Sequence, residues 1–115
     1  MKLFLKSFVY AFEGIQHCMT KDRNFIVHCI AAVLVIIAGF VFNIERTEWM
    51  IIAINIGLVI GFEMLNTSIE KICNLVHPQH HPFVKIIKDV AAGAVLLVAI
   101  AAAVCGAIIF LPKIF

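Results

Sequence analysis

A chain of 115 residues holds one domain at most, and its composition excludes an ordinary soluble one: 63% hydrophobic, 14% charged, mean hydropathy +1.08. A net charge of +2, with no dense basic patch, excludes nucleic acid as a partner. The four cysteines, Cys18, Cys29, Cys73 and Cys105, form no CxxC pair and read as small buried hydrophobes, not as disulfide or metal partners.

The opening Met1–Lys6 is too short and too quickly polar for a secretory signal, so the first membrane span is expected to direct insertion. Residues 3–20 place Phe4, Phe8, Ala11, Phe12, Ile15 and Met19 at roughly helical spacing among Lys2, Lys6, Glu13 and Gln16. This predicts an amphipathic helix lying on the membrane surface. A polar cluster follows at residues 20–24, where Asp22 suits the N-terminal dipole of the next helix. Residues 25–42 form the first expected span, with His28 its one titratable side chain besides Cys29. Residues 43–48 make a tight polar turn, and Trp49 opens the second span as an interface aromatic.

That second helix is expected to run to about Val76, roughly 42 Å long at 1.5 Å per residue, so its last two turns stand in water. The loop His77-Pro78-Gln79-His80-His81-Pro82 is stopped by its prolines; its histidines read as ordinary loop residues before they read as a metal site. A third span is expected over 84–111, ended by Pro112-Lys113, and its alanines and glycines suit close packing. Lys2, Lys6, Lys21, Arg23, Lys71, Lys85 and Lys88 fall on one side of this topology and Arg46 and Lys113 on the other, which predicts a cytoplasmic N-terminus and an extracytoplasmic C-terminus.

The informative stretch is Phe62–Glu70. Glu63, Asn66, Thr67 and Glu70 stand at i, i+3, i+4 and i+7, on one helical face. With the hydrocarbon ending near Ser68, Glu63 lies roughly 7 Å inside it, where an ionisable residue marks a functional site. The topology gathers Asp22, Glu63, Asn66, Glu70, Lys88 and Asp89 at one membrane face, including four of the seven acidic residues. Carboxylates and an amide oxygen suit Mg²⁺. Lys88 suits phosphate. Glu63 is placed to take a proton from an alcohol whose tail lies in lipid. These are the parts of phosphoryl transfer from a nucleotide to a lipid alcohol, without a Walker loop or a protein-kinase signature. Lys21, Arg23, Lys71 and Lys85 read as solvated helix-end charges. Glu63 does not fit that plain reading.

Glu63-Met64-Leu65-Asn66-Thr67-Ser68-Ile69-Glu70 resembles the E-x-x-N-[TS]-[AS]-I-E signature of the prokaryotic diacylglycerol kinase family, and Lys88-Asp89 with Ala91-Ala92 resembles that family's K-D-x-x-[AS]-A segment. Lys6, Tyr10 and Gly14 match its N-terminal helix. The His80-His81-Pro82 loop and Arg23-Asn24-Phe25 look like the Gram-positive branch, whose members are similar to undecaprenol kinases. The resemblance implies an all-α integral membrane homotrimer, with an N-terminal surface helix and three transmembrane helices per subunit in one kinase domain over 1–115. It implies a bacterial plasma-membrane enzyme using ATP and Mg²⁺ on undecaprenol or diacylglycerol, with its site between neighbouring subunits. By position, Glu63 resembles the catalytic base and Asn66 a site-organising amide. Asp22 and Glu70 resemble the metal-bridging carboxylates. Tyr10, Gln79, His80, His81, Lys88 and Asp89, with Asp22 and Glu70, resemble nucleotide contacts. Asp22 departs from the family's usual Glu by one methylene.

Two other classes fit a small membrane protein with a buried carboxylate. A proton-coupled exporter would carry Glu63 near the bilayer midplane without a carboxylate partner two turns on. A non-catalytic membrane subunit would use Glu70 and Lys88 for assembly alone.

Overall fold

The structure, a computed structural model, describes residues 1–115 as four helices: α1 (Lys2–Lys21), α2 (Arg23–Val41), α3 (Arg46–Val76) and α4 (Pro82–Ile114). The three later helices are long and apolar enough to cross a membrane. α3 and α4 make the most extensive contact, α2 packs on α3, and α1 touches α2 and the same α3. The molecule measures 50 × 42 × 21 Å, its long dimension close to the ~46 Å that 31 helical residues span in α3.

Only 11 of 115 residues are buried, while Leu34, Phe40, Leu97 and Ile108 stand largely exposed. Such a chain cannot hide its apolar surface within itself and needs lipid or further protein around it.

The corners have local causes. Asp22 caps α2: its carboxylate accepts the Phe25 N–H at 3.2 Å, so the acidic residue expected to serve as a dipole partner is also a direct N-cap. Phe25, the most buried large side chain, fills the inside of that corner. α2 ends in a Schellman arrangement, with Ile44 N–H on Gly39 O at 3.1 Å and Asn43 N–H on Phe40 O at 3.3 Å. Asn43 carries φ 55°, a left-handed conformation that asparagine tolerates better than most residues.

α3 starts at Arg46, ahead of Trp49, because Glu45 and Glu48 form a capping box there. Buried Ile44, Ile52 and Ile109 then join α2, α3 and α4 at this end, with Trp49, Phe42 and Phe110 packed around them. Lys113 reaches from α4 to Glu48 at 3.1 Å.

The sequence predicts a stop at Pro112, but α4 continues through it to Ile114. A proline this close to a helix end removes only one N–H. Lys113 Nζ also donates to the Ile109 carbonyl in this last turn, at 3.3 Å. At its other end, α4 has Pro82 in its first turn, and His81 Nδ1 caps it by accepting the Phe83 N–H at 3.1 Å.

Candidate active site

The functional face of α3 grades from dry to wet. Glu63 and Asn66 are buried, at 3% and 6% exposure; Thr67 is half-buried and Glu70 is exposed. The helical period aligns the four, and the crossing of α1, α2 and α3 produces the gradient. Asn66 Nδ2 donates to Glu70 Oε1 at 3.3 Å, one turn along the face. Thr67 Oγ1 donates to Asp22 Oδ2, which joins the α2 N-cap to α3. Asp22 therefore holds Phe25 N–H with one oxygen and Thr67 with the other.

A wholly polar pocket of about 260 Å³ opens here, lined by Asp22, Glu70, Thr67 and Asn74 together with His17, Lys21, Arg23, Asn24 and Lys71. Lys21, Arg23 and Lys71, expected to be solvated helix-end charges, thus stand around the same space as two carboxylates. Mixed basic and hard acidic lining suits a polyanion accompanied by a cation. The corner behind it is dry: burial pushes the Cys18 thiol above its ordinary value, and Asp22 pushes it further, against the opposing field of Lys71.

The oxygen donors around this pocket suit a divalent cation. Asp22 and Glu70 line the pocket, and Asn66 Oδ1, on the residue one helical turn before Glu70, is buried without a partner. All three are hard oxygen donors, and Mg²⁺ fits them. No three His, Cys, Asp or Glu side chains converge tightly enough to hold a metal by themselves.

Lys88 donates to Asn74 Oδ1 at 2.6 Å, and Asn74 lines the pocket, so α4 is linked to it through α3. Asp89 is held elsewhere, by Lys85 at 2.6 Å on its own helix. Tyr10 is exposed on α1. Gln79 and His80 are exposed in the α3–α4 loop, and His81 is engaged as the α4 cap. Within one chain, then, Asp22 and Glu70 line the pocket, Asn66 is tied to it through Glu70, and Lys88 reaches it through Asn74. Tyr10, Gln79, His80, His81 and Asp89 are not brought to it.

Two residues were missed by sequence reasoning. Asn74 carried no assigned role. His28 reads from the sequence only as a titratable residue in an apolar span, yet its Nε2 lies 3.7 Å from Glu63 Oε2. The usable signal was the imidazole's position in an otherwise apolar run.

A family model described as prokaryotic diacylglycerol kinase matches residues 9–110. The chain is 45% identical to the undecaprenol kinase of Bacillus subtilis (strain 168), over 96% of this chain and 90% of that one. It is 40% identical to a diacylglycerol kinase of Synechocystis sp., over 96% of this chain and 63% of that one. A diacylglycerol kinase of Helicobacter pylori (strain J99) is 26% identical over 84% of this chain and 75% of its own. These comparisons lend no support to a proton-coupled exporter. Match length, identity and three membrane-length helices together make the conclusion plain: the chain belongs to the prokaryotic diacylglycerol kinase family and is a multi-pass membrane lipid kinase.

Proposed function

We propose that this lipid kinase transfers the γ-phosphoryl group of ATP to the hydroxyl of undecaprenol, with diacylglycerol the poorer acceptor. The observation that carries the reading is the α3 gradient: a buried carboxylate at Glu63, and an exposed one at Glu70 lining a polar pocket. The acceptor is ranked by relatedness, the undecaprenol kinase of B. subtilis being 45% identical.

Glu63 is the general base. Its carboxylate takes the alcohol proton, the alcohol oxygen forms the new bond to the γ-phosphorus, and the bond to the β–γ bridging oxygen breaks to release ADP. A site shielded from water also keeps water from competing as acceptor. Asp22 and Glu70 would hold Mg²⁺, with Asn66 organising the site through its hydrogen bond to Glu70. When bound, the ion neutralises phosphate charge and orients the transferring group. Lys21, Arg23 and Lys71 add positive charge around the polyphosphate, and Lys88, tethered by Asn74, adds more.

Tyr10, Gln79, His80, His81 and Asp89 are assigned to the nucleotide in a homotrimer, reaching it across a subunit boundary. The small buried fraction of the single chain supports assembly. The chain acts as one domain in a bacterial plasma membrane, with α1 flat on the cytoplasmic surface and spans near 25–42, 49–76 and 84–111. The N-terminus is cytoplasmic and the C-terminus extracytoplasmic.

Purified protein in mixed micelles, given ATP, Mg²⁺ and both lipids in competition, tests the reading. A kcat/KM ratio favouring undecaprenol is expected. A ratio favouring diacylglycerol overturns the acceptor assignment, and absence of phosphorylation of either lipid overturns the reaction.

A further inference from the structure

His28 lies in α2, a helix whose only charged side chain is Arg23, in its first turn. An imidazole there loses hydration and needs a partner. Its partner is Glu63: Nε2 stands 3.7 Å from Oε2, with the His28 side chain 22% exposed and that of Glu63 4%. No other ion pair of the chain involves Glu63. His28 also lines an apolar groove of about 330 Å³ between α2, α3 and α4, walled by Ala32, Val35, Ile56, Val59 and Ala102. The residue therefore borders both a space suited to hydrocarbon and the buried carboxylate.

We propose that His28 is a positioning residue for Glu63. The inference rests on the assignment of Glu63 as the base. A glutamate carboxylate swings on several rotatable bonds, and a misplacement of about 1 Å costs on the order of a hundredfold in rate. His28, carried by a different helix, stands at Oε2 and limits where that carboxylate can swing. The 3.7 Å separation is longer than a hydrogen bond. It shortens when the acceptor's head group enters, as catalytic contacts do on substrate binding.

The test uses the full chain in mixed micelles with ATP and undecaprenol, comparing His28→Leu, His28→Gln, Glu63→Gln and the double variant Glu63→Gln/His28→Leu. Expected is a fall in kcat of roughly 10- to 100-fold for His28→Leu, with KM for ATP unchanged. His28→Gln, whose amide N–H can reach the same oxygen, restores most of the loss. On the residual turnover of Glu63→Gln, His28→Leu has no further effect, because it acts through the group already removed.

Wild-type kcat in His28→Leu, equal losses in the Leu and Gln variants, or a multiplied loss in the double variant overturns the proposal. If His28→Leu fails to assemble, His28→Asn, whose amide falls short of Glu63, replaces it against His28→Gln, and equal kcat for those two overturns it. Wild-type turnover in Glu63→Gln overturns the base itself. An inactive Glu63→Gln beside a fully active His28→Leu overturns only the role of His28.

Discussion

The two ends of this bundle are made from the same helices under opposite rules. At the α2–α3 turn, Ile44, Ile52 and Ile109 are buried among aromatic rings, and the polar groups are paired: Glu45 with Glu48 in the capping box, Lys113 with Glu48 and the Ile109 carbonyl. At the α1–α2 corner, the buried groups include a carboxylate and an amide whose oxygen has no partner. The first end is complete within one chain. The second leaves a buried amide oxygen unpaired within one chain. A satisfied end anchors the fold, and an unsatisfied end stores the polar capacity that a ligand uses.

The largest effect that would break this contrast is at Glu63. Glu63→Gln keeps the volume and removes the base. Turnover should fall by about 10²- to 10⁴-fold in an ATP-dependent lipid phosphorylation assay, while circular dichroism in detergent shows the same helix content. A variant that loses its helices instead would mean that the carboxylate supports the fold rather than the chemistry.

Next in size is Glu70→Gln. Activity should fall roughly 10- to 100-fold, the range for disturbing a metal site, and partial recovery is expected as Mg²⁺ is raised. Loss that no Mg²⁺ concentration relieves would place Glu70 outside the cation site.

Gly39→Ala addresses the other end. A Cβ on Gly39 would lie 2.5 Å from the Trp49 ring, so the ring must move. We expect destabilisation of about 1–3 kcal/mol, seen as a lower thermal midpoint, with kcat per folded enzyme unchanged. A fall in kcat at unchanged stability would mean that the two ends are coupled.

The smallest effect is a pH dependence at Glu48. The Glu45 backbone hydrogen bond, and then the hydrogen bond from Lys113, hold its carboxyl below the ordinary glutamate value. A depressed folded-state value means that this stabilisation is fully present above the ordinary value and is lost as pH falls through the folded one. Thermal midpoints of the wild type should therefore drop more than those of Glu48→Gln when pH is lowered through the acid range. Parallel curves would mean that Glu48 contributes nothing to that dependence.

The all-helical architecture, with three helices of membrane length, was legible because hydropathy over some twenty residues is a property of each stretch alone. The Glu63, Asn66, Thr67 and Glu70 face was legible for the same reason: a helical period needs no partner helix. Pro112 misled because a proline's effect depends on its distance from the helix end. His28 with Glu63, Thr67 with Asp22 and Lys88 with Asn74 each join different helices, 14 or more residues apart, and no periodicity within one helix reports on such pairs.

The sequence by itself therefore determined which stretches are helical, which are apolar enough for lipid, and which residues of α3 share a face, since these follow from local period and composition. Only the tertiary structure decided that Asp22 bonds α3 while capping α2, that Lys21, Arg23 and Lys71 surround a pocket, and that an imidazole faces Glu63. Those depend on the register and crossing of packed helices. That register is set by side-chain fit at the contacts, such as Trp49 against Gly39, over distances no local pattern spans.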